Sequence, residues 1–388
     1  MKRKKILPYG FQSISRDDIR SVSSALKNDF LTTGPFVEIF ERQLKSLTQA
    51  KHAVACANGT AALHLACNAI NLQKGDWVIV PSVTFLATAN AVRFCGADVF
   101  FSDVDENTGQ ITPEILERAF KEADRKSLKI KAVIVVHLTG RPVNLKEISF
   151  ITKKHKVTLI VDACHAIGGS YLGLPIGSCK YEDINTFSFH PVKSITTGEG
   201  GAITTNDKSL ALTMKRARSH NMIRSETKGN WRYQMKNLGF NYRISDIQCA
   251  LGINQLKKLD KFVQKRAALV CCYNKKFREF DGKVITPTLK DKEPETSIGW
   301  HLYSVVFNFS LLPITRSQLM KKLAEVGIYT QVHYIPVHSQ PYYRKLYGSI
   351  KLPGSMQYFE RTLSLPLFPK MKLNDVKYVV DHIKRLIL

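Results

Sequence analysis

The chain of 388 residues has no apolar run near the roughly 20 residues that a membrane-crossing helix needs; residues 77–81 and 132–136 are among its longest and stop far short. No membrane span is expected. Pro8-Tyr9-Gly10 follows the basic start Met1-Lys2-Arg3-Lys4-Lys5 at once, leaving no place for the apolar stretch and small-residue cleavage site of a secretory signal, so the expectation is a cytoplasmic protein. A disulfide framework and metal-ligand spacing are also missing. The eight cysteines are scattered, and the only close pair, Cys271 and Cys272, falls in a helical segment. Free thiols and no metal site follow. Acidic residues are scarce, 32 against 57 Lys and Arg, which leaves a formal charge of +25. Such a field would attract nucleic acid, an anionic membrane or a phosphorylated small molecule. The basic residues are dispersed, with no block beyond residues 2–5 and no interleaved aromatic platform, which speaks against nucleic acid. No internal repeat or low-complexity segment is present.

The 44% hydrophobic content is enough to bury a substantial core and suggests one large domain plus a smaller one. Between residues 51 and 205, β-branched segments at 52–55, 77–80, 98–101, 131–136, 157–162, 186–189 and 202–204 read as strands. Helical patterns at 60–70, 84–94 and 142–155 fall between them. Alternation of this kind predicts an α/β fold, a mainly parallel sheet covered by helices on both faces. Long helices are expected at 243–259 and 261–280. A lysine-rich, proline-containing loop at 286–296 then sets a boundary between a large unit, 1–285, and a small C-terminal α/β unit, 286–388. The small unit reads as strand 301–307, helix 316–326, strand 329–332 and helix 376–386.

Three stretches carry chemistry. Asn58-Gly59-Thr60-Ala61-Ala62 sits where a strand hands over to a helix, so the backbone N–H groups of Thr60 and Ala61 and the helix dipole would favour a phosphate; taken alone, the same residues read more readily as an ordinary glycine turn with Thr60 as helix cap. Val157-Thr158-Leu159-Ile160-Val161-Asp162 ends an apolar strand in a carboxylate, at the edge where α/β sheets collect ligands, although Asp162 would also serve to cap the next turn. His165, three residues on, reads by itself as a structural histidine. The third stretch runs from Phe187 to Gly201 through Ser188, His190, Pro191 and Lys193. It sets a hydroxyl and an amine five positions apart on a strand-to-loop segment that ends in glycines, one group for a phosphate and one for a carbonyl.

Taken together, these stretches resemble the DegT/DnrJ/EryC1/StrS sugar aminotransferases, a branch of the fold-type I pyridoxal-phosphate enzymes. The likeness also takes in Leu31-Thr32-Thr33-Gly34-Pro35, Val80-Pro81-Ser82-Val83-Thr84-Phe85 and Leu238-Gly239-Phe240-Asn241-Tyr242-Arg243-Ile244-Ser245-Asp246, in family order and spacing over nearly the whole chain. It implies a seven-stranded, mainly parallel sheet in the large domain and pyridoxal 5'-phosphate as cofactor, with Lys193 as the lysine that joins the cofactor carbonyl and later moves the proton. It further implies Asp162 at the pyridine nitrogen, Phe85 stacked on the ring, His165 beside it, and Thr60, Ala61 and Ser188 on the phosphate. Asn241 would help from a second subunit of a homodimer with shared active sites. Tyr9, Thr32, Gly34, His333 and Tyr334 would face the sugar. The implied reaction moves an amino group from L-glutamate to the keto group of a nucleotide-linked sugar. Within the family the Ser-Phe-His-Pro-Val-Lys combination looks most like the pseudaminic-acid branch, whose substrate is a UDP-linked 4-keto-6-deoxy-N-acetylhexosamine. Two other readings share the scaffold: a sugar dehydratase, which carries histidine where Lys193 stands, and a catalytically silent regulator.

Overall fold

The computed structural model describes residues 6–224, 231–280, 282–288 and 294–387. The basic run at 2–5 and residues 289–293 of the proposed boundary loop lie outside them. In chain order the helices are α1 (Arg16–Ala25), α2 (Pro35–Thr48), α3 (Gly59–Ala69), α4 (Leu86–Phe94), α5 (Pro113–Arg125), α6 (Leu145–Lys154), α7 (Lys208–Arg218), α8 (Asp246–Leu256), α9 (Leu259–Phe277), α10 (Arg316–Glu325), α11 (Pro341–Tyr347), α12 (Pro353–Arg361) and α13 (Leu373–Ile387). The strands of the large sheet are β1 (His52–Cys56), β2 (Trp77–Pro81), β3 (Asp98–Ser102), β4 (Ile130–Val136) and β5 (Thr158–Asp162). After a two-strand ribbon, β6 (Ser170–Tyr171) and β7 (Leu174–Pro175), the large sheet is completed by β8 (Ile184–Ser188) and β9 (Gly201–Thr205). A hairpin of β10 (Met222–Arg224) and β11 (Tyr233–Met235) follows, then a three-stranded sheet of β12 (Val284–Ile285), β13 (Tyr303–Phe307) and β14 (Thr362–Leu365).

The large sheet has seven strands in the order β1-β9-β8-β5-β4-β2-β3. Only β9 runs against its neighbours; the remaining pairs are parallel, as the strand-helix alternation requires. Side-chain alternation explains why these strands read as continuous apolar runs. Ala53, Ile79, Val133, Leu159 and Val161 enter one core with α2, α5 and α6, while Val54, Val78, Ile134, Ile160 and Ile203 enter a second core with α3, α4 and α7. Asp162 and Ser188 share the parity of Ile160 and Ile184. Both therefore stand on the α3/α4 side of the sheet, at the carboxyl ends of β5 and β8.

A third core joins the small sheet to α10 and α13, and it draws Leu269, Val270, Tyr273 and Phe277 from the second half of α9 and Leu7 from the start of the chain. The core that holds the small sheet thus draws on residues before 286. The strand expected at 329–332 is not formed. Ile328 pairs with Leu7 and Gln331 with Ser364, one bridge each, because the segment changes partner between them and no ladder can extend. Elsewhere the expected elements are present, with ends shifted by up to three residues.

Candidate active site

One cavity of about 630 Å³, a size ordinary for small-molecule sites, opens at the carboxyl ends of β5 and β8. Of the residues singled out in the sequence, Tyr9, Thr60, Phe85, Asp162, His165, Ser188, Lys193, His333 and Tyr334 line it. They come from the start of the chain, α3, the α4 cap, β5, β8 with its following loop, and the segment after α10. No local pattern could have joined them.

At one end stands the N-terminus of α3. Asn58, and not Thr60, caps this helix: its side chain accepts the N–H of Ala61 at 2.8 Å, a contact that stabilises the helix by about 1 kcal/mol. The Ala61 N–H expected to bind phosphate is therefore engaged within the chain, and buried Ala61 does not line the cavity. The first N–H groups, those of Gly59 and Thr60, precede the intrahelical ladder and point from the positive end of the helix dipole. Ser188 lies against them. A Cβ on Gly59 would stand 2.8 Å from that of Ser188, so glycine is what lets β8 and α3 approach closely enough for hydroxyl and helix N-terminus to face one anion.

Asp162 is held from two sides. Thr88 on α4 donates its hydroxyl to Oδ2 at 2.8 Å, with Thr84 behind it at 2.8 Å, and the Cys164 N–H donates to Oδ1 at 3.1 Å. The carboxylate thus caps its own turn and still borders the cavity. Lys193 follows β8 in a loop closed by its N–H to the His190 carbonyl, and from behind, the guanidinium of Arg266 on α9 donates to the Lys193 carbonyl at 3.3 Å. Burial pulls the Lys193 ammonium below the ordinary lysine range, while Cys164 and Asp162 act in the opposite sense. The result is an amine more readily neutral than a surface lysine. Arg266 is itself enclosed, and burial brings its pKa down to about 10.

His165 accepts the Thr139 N–H at Nδ1 (3.2 Å), so its proton sits on Nε2, 3.1 Å from the Tyr334 hydroxyl. Burial, then the nearby Lys193 and His333, hold it well below the usual histidine range. His301 also borders the cavity, its ring 4.6 Å from that of His165. Phe85 leaves 54% of its surface open, its ring 6.0 Å from Tyr334. Thr32, Gly34 and Asn241 lie outside this cavity. Thr32 pairs with Ser245, Gly34 donates its N–H to Asp246 at 2.8 Å, and Asn241 is exposed beside Ser219.

Sequence reasoning missed Cys164, Glu199, His301 and Gln340, which line the cavity, and Arg266 behind it. His301 had no local signal. It arrives where the chain crosses itself, a Cβ on Gly140 being 2.1 Å from the Gly299 carbonyl oxygen, at φ +105°.

Buried histidines also set a pH dependence. Burial brings His137 and His333 to about 3 from an ordinary value of 6.5. The unfolded chain binds protons that the folded chain does not between these values, so this stability is full above 6.5 and is lost as the pH falls toward 3, by up to about 1.4 kcal/mol per unit for each histidine. Urea unfolding of the wild type at pH 7 and pH 5 is expected to show the loss, and His333→Gln to flatten it by one proton. Identical slopes in the two proteins would remove His333 from the account.

Comparison with known proteins identifies the chain. The model of the DegT/DnrJ/EryC1/StrS aminotransferase family matches residues 12–384, and the protein belongs to that family. It is a pyridoxal-phosphate-dependent aminotransferase of the α/β class. A UDP-4-amino-4,6-dideoxy-N-acetyl-beta-L-altrosamine transaminase of Campylobacter jejuni is 40% identical over 97% of this chain and 96% of its own. The spore coat polysaccharide biosynthesis protein SpsC of Bacillus subtilis is 36% identical over 100% of this chain and 98% of its own. Among solved structures, Helicobacter pylori PseC, an aminotransferase in pseudoaminic acid biosynthesis, superposes with a TM-score of 0.90 at 27% identity over 99% of each chain. Spr1654 of Streptococcus pneumoniae in its PLP form gives 0.88 at 26% identity over 98% of each. The donor set described above fits the cofactor: helix N–H groups and a hydroxyl for a phosphate, a buried carboxylate for a ring nitrogen, an amine for a carbonyl.

Proposed function

We propose that the protein transfers the amino group of L-glutamate to the keto group of a UDP-linked 4-keto-6-deoxy-N-acetylhexosamine, in the cytoplasm, for a surface glycan of the pseudaminic-acid kind. The observation that carries the reading is the convergence of Lys193, Asp162, Ser188 and the α3 N-terminus on one cavity. The relatives named for an altrosamine and for pseudoaminic acid support the substrate class.

When bound, pyridoxal phosphate supplies a carbonyl for the donor's amine and a ring that withdraws electrons from the neighbouring C–H. The chain's residues do the rest. Gly59, Thr60 and Ser188 would hold the phosphate end, with the Ala61 N–H given to the helix cap instead. Asp162 would pair with the ring nitrogen, and Phe85 would lie against the ring. The Lys193 amine, kept by burial below the ordinary lysine range, would take and return the proton of the donor. His165 stays neutral and offers Nε2–H through Tyr334. Tyr9, His333 and Tyr334 border the space left for the sugar.

A second copy of the chain completes the site in this reading. Asn241 and Thr32 are exposed and lie outside their own chain's cavity, which leaves them free to serve a partner together with Gly34. Phe30, Phe94, Trp231, Tyr233 and Leu238 also expose large apolar surfaces, Leu238 to 79%. The two-unit division near residue 285 belongs to the same reading, with α9 serving both units. Among the described residues no helix is long and apolar enough to cross a membrane.

The test is the visible spectrum of the purified protein with pyridoxal phosphate, before and after L-glutamate and with no sugar present. A yellow band that glutamate bleaches is the expected result. A band indifferent to glutamate removes that donor, and no band removes the assignment of Lys193.

A further inference from the structure

Arg266 is a buried cation without a buried anion. It is 1% exposed, and among the described residues no carboxylate pairs with it. Of its guanidinium nitrogens only Nη2 meets a protein group, the Lys193 carbonyl at 3.3 Å, while Nε and Nη1 are enclosed and meet none. An enclosed charge of this kind costs stability, and an apolar side chain of similar volume commonly packs as well or better. Arg266 also lies outside the cavity, so it acts on the site through another residue. What a guanidinium supplies that an apolar side chain does not is a donor on a long arm.

That arm starts from a firm base and ends on the root of the lysine. α9 gives Leu259 and Phe262 to a core of the large sheet, and Leu269 and Val270 to the core of the small sheet. Arg266 stands between the two sets, on the face of the helix that Phe262, Leu269 and Val270 share. Lys193 has its N–H on the His190 carbonyl at 2.9 Å, and among the described residues Arg266 is the one donor to its own carbonyl. The sense of that contact is fixed, since a guanidinium only donates and a carbonyl only accepts. With both flanking peptide groups tied, the direction in which the lysine side chain leaves the backbone is set. We propose that Arg266 is a positioning residue for Lys193: it fixes the lysine's carbonyl, and with it the aim of the amine, and it is kept for this at a cost to stability. The consequence for the reaction rests on the role proposed for Lys193, because an amine that must meet a carbonyl carbon and later carry a proton loses rate when its root is displaced.

The cofactor-loaded protein allows a test with two variants. Arg266→Met removes the donor at similar volume, and Arg266→Lys keeps a donor on an arm of similar length. Arg266→Met is expected to bind pyridoxal phosphate in full and to melt at or above the wild-type temperature, because the enclosed charge is gone. Its yellow band should show weakened visible circular dichroism, which reads how the lysine-bound ring is held. Its glutamate half-reaction in rapid mixing should slow about tenfold at saturation, the scale of one net hydrogen bond, with the half-saturating concentration little altered. Arg266→Lys should recover most of both readings. Arg266→Met with the dichroism and rate of the wild type overturns the proposal, as does an Arg266→Lys no better than Arg266→Met. An Arg266→Met that fails to fold, or melts well below the wild type, also overturns it, since Arg266 would then belong to the packing of α9. A wild type with no yellow band strikes the assignment of Lys193 and this proposal with it, whereas a wild type that shows the band beside an unaffected Arg266→Met strikes this proposal alone.

Discussion

Lys193→Ala is expected to keep the cofactor and lose turnover by ~10⁴-fold or more, since in the proposed reading it removes both the nucleophile and the proton carrier. The groups assigned to the phosphate do not depend on the lysine: the Asn58 cap, Gly59, Thr60 and Ser188 belong to α3 and β8, and the loop carbonyl that Arg266 holds is backbone. The lost amine is the one that burial keeps below the ordinary lysine range, and among the described residues no other lysine lines the cavity. The variant should bind pyridoxal phosphate with an altered visible spectrum and should show no glutamate half-reaction in rapid mixing. Turnover within tenfold of wild type would remove Lys193 from the chemistry. Loss of cofactor binding together with activity would mean that the lysine, and not the α3 cradle, provides most of the affinity.

How far this site could be read in advance depended on where its contacts lie along the chain. The β-α alternation gave the sheet, and the run from Val157 to Asp162 placed a carboxylate correctly because an apolar strand buried on both faces must end where ligands gather. Lys193 and Ser188 were legible because one strand and its loop carry both. What failed was detail set by three-dimensional competition. Asn58 takes the capping role that the alternative reading gave to Thr60, since its side chain sits one position ahead of the first helical residue, and it thereby occupies the Ala61 N–H. The segment at 329–332 looked like a strand by composition but had to split its pairing between Leu7 and Ser364. His301 and Arg266 entered through crossings of the backbone, at Gly140 against Gly299 and at α9 against the Lys193 loop, that leave no periodic trace. Thr32, Gly34 and Asn241 lie outside the cavity of their own chain, so no contact within one chain speaks to their proposed roles.

Asp162→Ala is expected to fail in another way. The carboxylate is largely buried and is ordered by the Thr88 hydroxyl and the Cys164 N–H, each held within the sheet-helix junction. That fixed orientation is what makes a negative charge useful to a protonated ring nitrogen: the environment is preorganised and need not rearrange during reaction. Removing it should leave Lys193 joined to the cofactor but slow proton removal from the donor by about 10²–10³-fold, the scale of a lost preorganised electrostatic contact. Asp162→Asn separates charge from shape, since an amide still accepts the Thr88 hydroxyl yet carries no charge. It should be nearly as slow as the alanine variant if charge is the essential property. Rapid-mixing measurement of the glutamate half-reaction decides this. A near-normal rate in Asp162→Asn would reduce Asp162 to a turn cap, the role its contact with Cys164 already gives it.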